Sequence, residues 1–169
     1  MGEQLSGESS INSAFNFQSY KIDNMSFKTK QNLAVLGLNK SHDASEWKYC
    51  VAIRHPLFFQ IPKCYVCGIN ISVLLPDPEI KHEDVKPENA LALLEIGIAG
   101  IFSVEKERID ISIEEIIIKE QMPAILFPYL RSAIALILAN AGFGPVLIPL
   151  INVPALAKES LKDIKIEAR

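Results

Sequence analysis

The stretch YVCGINISVLL (residues 65–75) decides the fold class. Tyr65, Cys67, Ile69, Ile71, Val73 and Leu75 recur at every second position, with Gly68, Asn70 and Ser72 between them. Successive strand side chains point to opposite faces, so this pattern predicts a half-buried strand with one face on a core. It stops at Pro76-Asp77-Pro78. Beyond a charged connector containing Glu83, Asp84, Lys86, Pro87 and Glu88, a second run from Leu91 to Val104 places Leu94, Ile96, Ile98, Gly100, Phe102 and Val104 on one face. A parallel neighbour would need a crossover of about a dozen residues, usually helical. The connector's prolines oppose a helix, so the two strands are predicted to pair antiparallel.

Upstream, FQSYKIDNMSFK (residues 17–28) has strand-like length and composition and precedes a turn-prone stretch from Gly37 to Ala44. Lys48 to Arg54 carries Val51 and Ile53 on one face and is stopped by His55-Pro56, because proline cannot donate to a ladder. The expectation is therefore an α+β domain over residues 17–169 with four antiparallel strands. Met1 to Asn16 is rich in Ser, Gly, Glu and Asn without an apolar segment, which predicts a flexible tail and no secretory signal.

Helical character begins after Val104. Ile111 to Glu120 reads as a short helix, although the run Ile116-Ile117-Ile118 also suits a strand. Pro123 to Ala141 is rich in Ala and Leu, and Gly142 stands where a cap is needed. Its strongly polar side chains are Arg131, Ser132 and Asn140, so it is apolar almost all round and must be buried on more than one side. Membrane insertion would cost about 2.5–3.5 kcal/mol for Arg131 near its middle, which argues against a span. Gly142 to Ile151 reads as an extended apolar connection. A final amphipathic helix begins near Pro154 and carries Ala157, Leu161, Ile164 and Ala168 on one face.

At 49% hydrophobic residues and 22% charged residues, the chain has more apolar surface than one small domain hides, which points to contact with further chains. A net charge of -3 with scattered cations opposes nucleic-acid binding. Cys50, Cys64 and Cys67 leave an odd thiol after any one disulfide, as expected of a reducing, cytoplasmic location. Cys64 and Cys67 form a CxxC, yet it lies in a strand, where residues three apart face opposite ways and lie about 10 Å apart. They are read as packing residues. His42, His55 and His82 fall in no metal or catalytic motif, Glu114-Glu115 and the Glu105 to Arg108 run read as solvated charges, and no phosphate loop occurs. The expectation is no catalytic residue, no metal and no cofactor: not an enzyme.

LEIGIAGIFSV (residues 94–104) and AILFPYLRSAI (residues 124–134) resemble the SecB family of bacterial export chaperones, which carry an acidic residue before a Gly-Ile/Leu-Phe strand ending and a helix opening on LFPYAR. Phe17-Gln18 and Met25-Ser26-Phe27 are similar to that family's first strand, and Phe143, Ile151-Asn152-Val153 and Ala155-Leu156 to its C-terminal segment. The resemblance implies a four-stranded antiparallel sheet with helices on one side, assembled as a dimer of dimers through the long helix. It further implies an ATP-independent holdase that binds unfolded polypeptides or preproteins in apolar grooves, or alternatively a chaperone dedicated to one partner such as an antitoxin. Groove candidates are Phe143, Leu147, Ile148, Val153, Leu156 and Leu161, and interface candidates are Leu130, Ile134, Ala135, Leu138 and Ala139. Leu94 and Glu95 match residues that contribute to docking of the motor SecA. Asn24 and Lys28 stand where that docking face should be acidic, so SecA binding is expected to be weak. Arg131 is read as a structural contact.

Overall fold

The computed structural model describes residues 15–30, 44–77, 79–81, 84–105, 110–162 and 167–168. Its centre is the antiparallel pair β4 (Cys64–Leu75) and β5 (Ala92–Val104), with Tyr65 opposite Phe102 and Leu75 opposite Ala92. Outside β5 lies β1 (Phe15–Thr29), antiparallel to it along its whole length with bulges at Phe17/Ser19 and Ile22/Asn24. Along the other side of β4 run two short strands in succession, β2 (Lys48–Ile53) and β3 (Leu57–Phe59), separated by Arg54-His55-Pro56.

The α+β class and the four predicted antiparallel strands are present, but among the described residues the sheet has six strands. One addition is β3, too short for periodicity to reveal. The other is β6 (Glu167–Ala168), which pairs in parallel with β3. Its existence corrects the last helix, α3, which covers Val153–Ser160 and does not reach Ala168. Ile164 lies outside the described residues, as do residues 1–14 of the expected tail and the turn-prone stretch up to residue 43. β1 starts inside that expected tail, because Phe15 stacks on Phe102 with ring centroids 5.2 Å apart.

The two expected helices before Gly142 join into one. α1 (Ile111–Ile116) continues through a π-turn at Ile117–Gln121 into α2 (Met122–Asn140). The Met122 N–H bonds the Ile117 carbonyl, five residues back. Pro123 can neither donate to the Lys119 carbonyl nor pass it without crowding, and a widened turn relieves both. From there Ile118, Met122, Leu126, Leu130, Ile134 and Leu138 form an unbroken i+4 ridge, each at most 1% exposed. This ridge lies on the face of β4 and β5 that carries Cys67, Ile69, Ile71, Leu94, Ile96 and Ile98. At Gly100 the helix lies close enough that a Cβ would collide with the Leu126 side chain.

α2 ends in a Schellman motif. Gly142 adopts φ +89°, its N–H bonds the Ala139 carbonyl and the Phe143 N–H bonds that of Leu138. The turn directs Phe143 between Phe27 and Trp47, whose rings it meets edge-on at 6.1 and 5.4 Å. Arg131 donates from Nε to the Ile148 carbonyl and so fastens the extended connection to the helix. The Asn152 side chain caps α3 by accepting from the Ala155 N–H.

Replacing Gly100 by Val forces α2 off the sheet, so urea unfolding should show a loss of about 1–3 kcal/mol. An unchanged midpoint would mean that Leu126 does not rest on Gly100.

Candidate functional site

A helix with side chains is about 10–12 Å wide and strands lie about 4.8 Å apart, so a single helix covers about two strands. In this chain the two are β4 and β5. On the same face, the flanking strands stay open: Tyr20, Ile22 and Met25 on β1 are 41%, 43% and 57% exposed, and Tyr49 on β2 is 41% exposed. Tyr20 partly bridges the gap by packing on Tyr129 of α2, the rings tilted by 36° with centroids 4.6 Å apart. The β1 margin therefore presents an apolar strip beside a full-length edge strand.

The second margin lies between β2 and α3. Val51 and Ile53 are half-buried on the β2 side. The connection before α3 alternates, with Val146 and Ile148 buried and Leu147 and Leu150 54% and 81% exposed. Of the groove candidates, Leu147 is exposed and Phe143 and Leu156 are half-buried. Ile148, Val153 and Leu161 are buried core residues, so the groove set divides between surface and interior. Trp47 sits at the end of this margin, its indole N–H buried without a partner among the described residues. Sequence reasoning passed over it, although it is the single tryptophan and directly precedes a strand.

The interface candidates divide in the same way. Leu130, Ile134 and Leu138 are fully buried in the ridge against the chain's own sheet, because the i+4 spacing puts them on the covered side. Ala135 is half-buried and Ala139 exposed. The outward stripe of α2 is Tyr129, Ser132, Leu136 and Ala139, all exposed. Ile111–Asn140 as a whole is long and apolar enough to cross a membrane by length and composition, but its ridge is seated on the sheet.

The opposite face of the sheet carries charged and polar groups among half-buried apolar residues such as Val66, Leu93 and Ile101. Arg54 leaves the end of β2 and lies over Gly68, where any Cβ would meet its guanidinium. It donates to both Asp23 carboxylate oxygens, at 2.6 and 3.1 Å, and to the Ile98 carbonyl. The bulge between Ile22 and Asn24 turns Asp23 toward it. Asp23 is thus neutralised, while Asn24 and Lys28 stand exposed. Glu95 is exposed in a shallow cleft of about 440 Å³ that also includes Lys28, Lys30 and Glu88. Leu94 does not share that surface. Adjacent strand residues face opposite ways, and Leu94 is fully buried on the helix-covered face while Glu95 is exposed on the other.

Cys64 and Cys67 are buried free thiols, Cys50 is exposed, and burial pushes the Cys67 thiol up to about 12. Tyr65 donates to Glu114 at 2.7 Å, and burial with that carboxylate raises its phenol above the ordinary range. Among the described residues no three His, Cys, Asp or Glu side chains gather to hold a metal. His55 hydrogen-bonds the Pro56 carbonyl, and His42 and His82 lie outside the described residues.

The sequence profile described as preprotein translocase subunit SecB matches residues 76–163, over half of the chain. The protein-export protein SecB of Dechloromonas aromatica is 32% identical over 80 residues, which cover 46% of this chain and 49% of that one. That of Methylobacillus flagellatus is 39% identical over 79 residues, covering 45% and 47%. The chain thus spans about half the length of the curated relatives it matches. A Mycobacterium tuberculosis SecB-like chaperone, solved in complex with a ChAD peptide from an antitoxin, superposes with a TM-score of 0.55 at 9% identity, over 81% of this chain and 90% of that one. This likeness is one of fold. With the family profile running from the end of β4 through β5, the ridge helix and α3, the chain belongs to the SecB family.

Proposed function

We propose that the chain is an ATP-independent, cytoplasmic holdase that binds unfolded polypeptides, preproteins for export among them, and works as a dimer of dimers. The observation that carries this reading is the pair of open apolar margins flanking the covered centre of the sheet. Folded proteins rarely expose such strips without a partner. Unfolded chains expose the mixed apolar segments that fit them, and no chemical step is required.

The two margins suit different occupants. β1 offers fifteen residues of edge backbone with Tyr20, Ile22 and Met25 beside it, and the outward stripe of α2 lies nearby at Tyr129. An edge this long invites pairing with another chain, so we assign this side to assembly. The β2–α3 margin, with Leu147, Leu150, Phe143 and Leu156, is assigned to clients.

A second reading, a chaperone serving one dedicated partner such as an antitoxin, is favoured by the neutralised polar face. SecA docking at Glu95 alone, beside Lys28 and without Asp23, would be weak, because charge complementarity chiefly sets association rate and specificity. The antitoxin peptide bound to the structural neighbour agrees with this reading.

In an aggregation assay with a chemically unfolded substrate, the protein should suppress light scattering equally at low salt and at about 1 M salt, where the Debye length is about 3 Å. Leu147→Glu with Leu150→Glu should abolish most of that suppression while leaving the thermal midpoint unchanged; full activity in the double variant would refute the groove. Light scattering should give a tetramer, and Leu136→Glu with Ala139→Glu should reduce it to a smaller species, since burying unpaired charge costs several kcal/mol. A stable native monomer would end the assembly reading. Polypeptides that co-purify separate the two functional readings: many species support the general holdase and one small protein the dedicated chaperone. SecA titrated at physiological salt should bind weakly in either case, and tight binding would overturn that expectation.

A further inference from the structure

Among the described residues, β3 is the one strand whose outer edge is filled by a distant piece of the same chain. Leu57 pairs with Glu167 and Phe58 with Ala168, in parallel, within an otherwise antiparallel sheet. The pairing spans two register positions, so few main-chain hydrogen bonds hold it. The edge itself is rigid. Phe58 is buried with its ring 4.7 Å from Tyr65, Tyr65 is tied through its hydroxyl to Glu114 of α1, and β3 is laddered to β4 over all three of its residues. Leu57 and Phe59 are half-buried on the other face, so an added strand meets apolar side chains on both sides.

We propose that the outer edge of β3 is a strand-addition site for an extended, unfolded polypeptide with apolar residues at alternate positions, and that Glu167–Ala168 is an internal occupant which that polypeptide displaces. The proposal rests on the chaperone reading and adds to it a main-chain binding site outside the apolar margins, held closed by the chain itself. A rigid edge suits the purpose, because the incoming strand is then the single element that has to be ordered. Main-chain pairing supplies affinity without demanding a particular sequence, while the alternating side chains select apolar segments. A short parallel occupant hides an exposed edge when no client is present, which guards against edge-to-edge association.

The test uses the full chain carrying Cys50→Ser, Leu57→Cys and Glu167→Cys, whose paired backbone positions allow a disulfide to lock β6 onto β3. Binding of a fluorescent, unstructured peptide of alternating apolar and polar residues is followed by anisotropy in the oxidised and the reduced protein. Oxidation should raise Kd on the order of tenfold, and reduction should restore it, the loss expected when a few main-chain hydrogen bonds are denied. Ala168→Pro, which removes a ladder donor, should instead tighten binding. Equal affinity in both redox states, with no gain in the proline variant, overturns the strand-addition site while leaving the chaperone reading intact. Absence of peptide binding in every form overturns the chaperone reading and this site with it.

Discussion

A single helix is about half as wide as a four-stranded sheet, and the division of the apolar face into a sealed centre and open margins follows from that mismatch. The ridge from Ile118 to Leu138 seals β4 and β5 so completely that Ile69, Leu94, Ile98 and Leu130 have no exposure at all. Burying each such side chain contributes about 1.5–3 kcal/mol, so the centre of the sheet carries much of the favourable burial in the domain. Beyond the reach of the helix the same face stays partly open, at Tyr20, Ile22 and Met25 on β1 and at Tyr49 on β2. The sealed centre of the sheet and the exposed apolar residues beside it are thus two consequences of one geometric limit.

The polar face obeys a different rule. Arg54 crosses from β2 to β1, over a position where any residue but glycine would block it, and meets the bulged Asp23 and the Ile98 carbonyl. A half-exposed ion pair of this kind adds little stability, about 0–1 kcal/mol. Its larger effect is on the field above the sheet, where a carboxylate that would attract a cationic partner is already neutralised. The same connection at Arg54-His55-Pro56 breaks one edge strand into β2 and β3, and so creates the separate short edge on which β6 lies.

Much of this was legible in the chain. The alternation in residues 65–75 and 91–104 reflects a face buried on one side, and period-two patterning survives any detail of what does the burying. The cap at Gly142 and the start of α3 near Pro154 were likewise readable, because capping depends on backbone conformation that few residue types adopt. The family resemblance lay in the ridge helix and the strand facing it, where packing leaves least freedom. Features of short range failed: β3 has too few residues for a period, and Ala168 fits a helical face in sequence while its backbone pairs with Phe58.

The sequence by itself determined the α+β class and the antiparallel centre of the sheet. It could not say which apolar residues meet solvent. Leu130 and Leu136 are chemically the same, yet one is sealed and the other 63% exposed. The difference arises because a helix apolar all round carries no internal mark of which side meets the sheet. Leu94 and Glu95 adjoin in sequence and are separated by the whole thickness of the sheet. The tertiary structure alone decided these matters, because exposure belongs to the fit between elements and is not a property of any one of them.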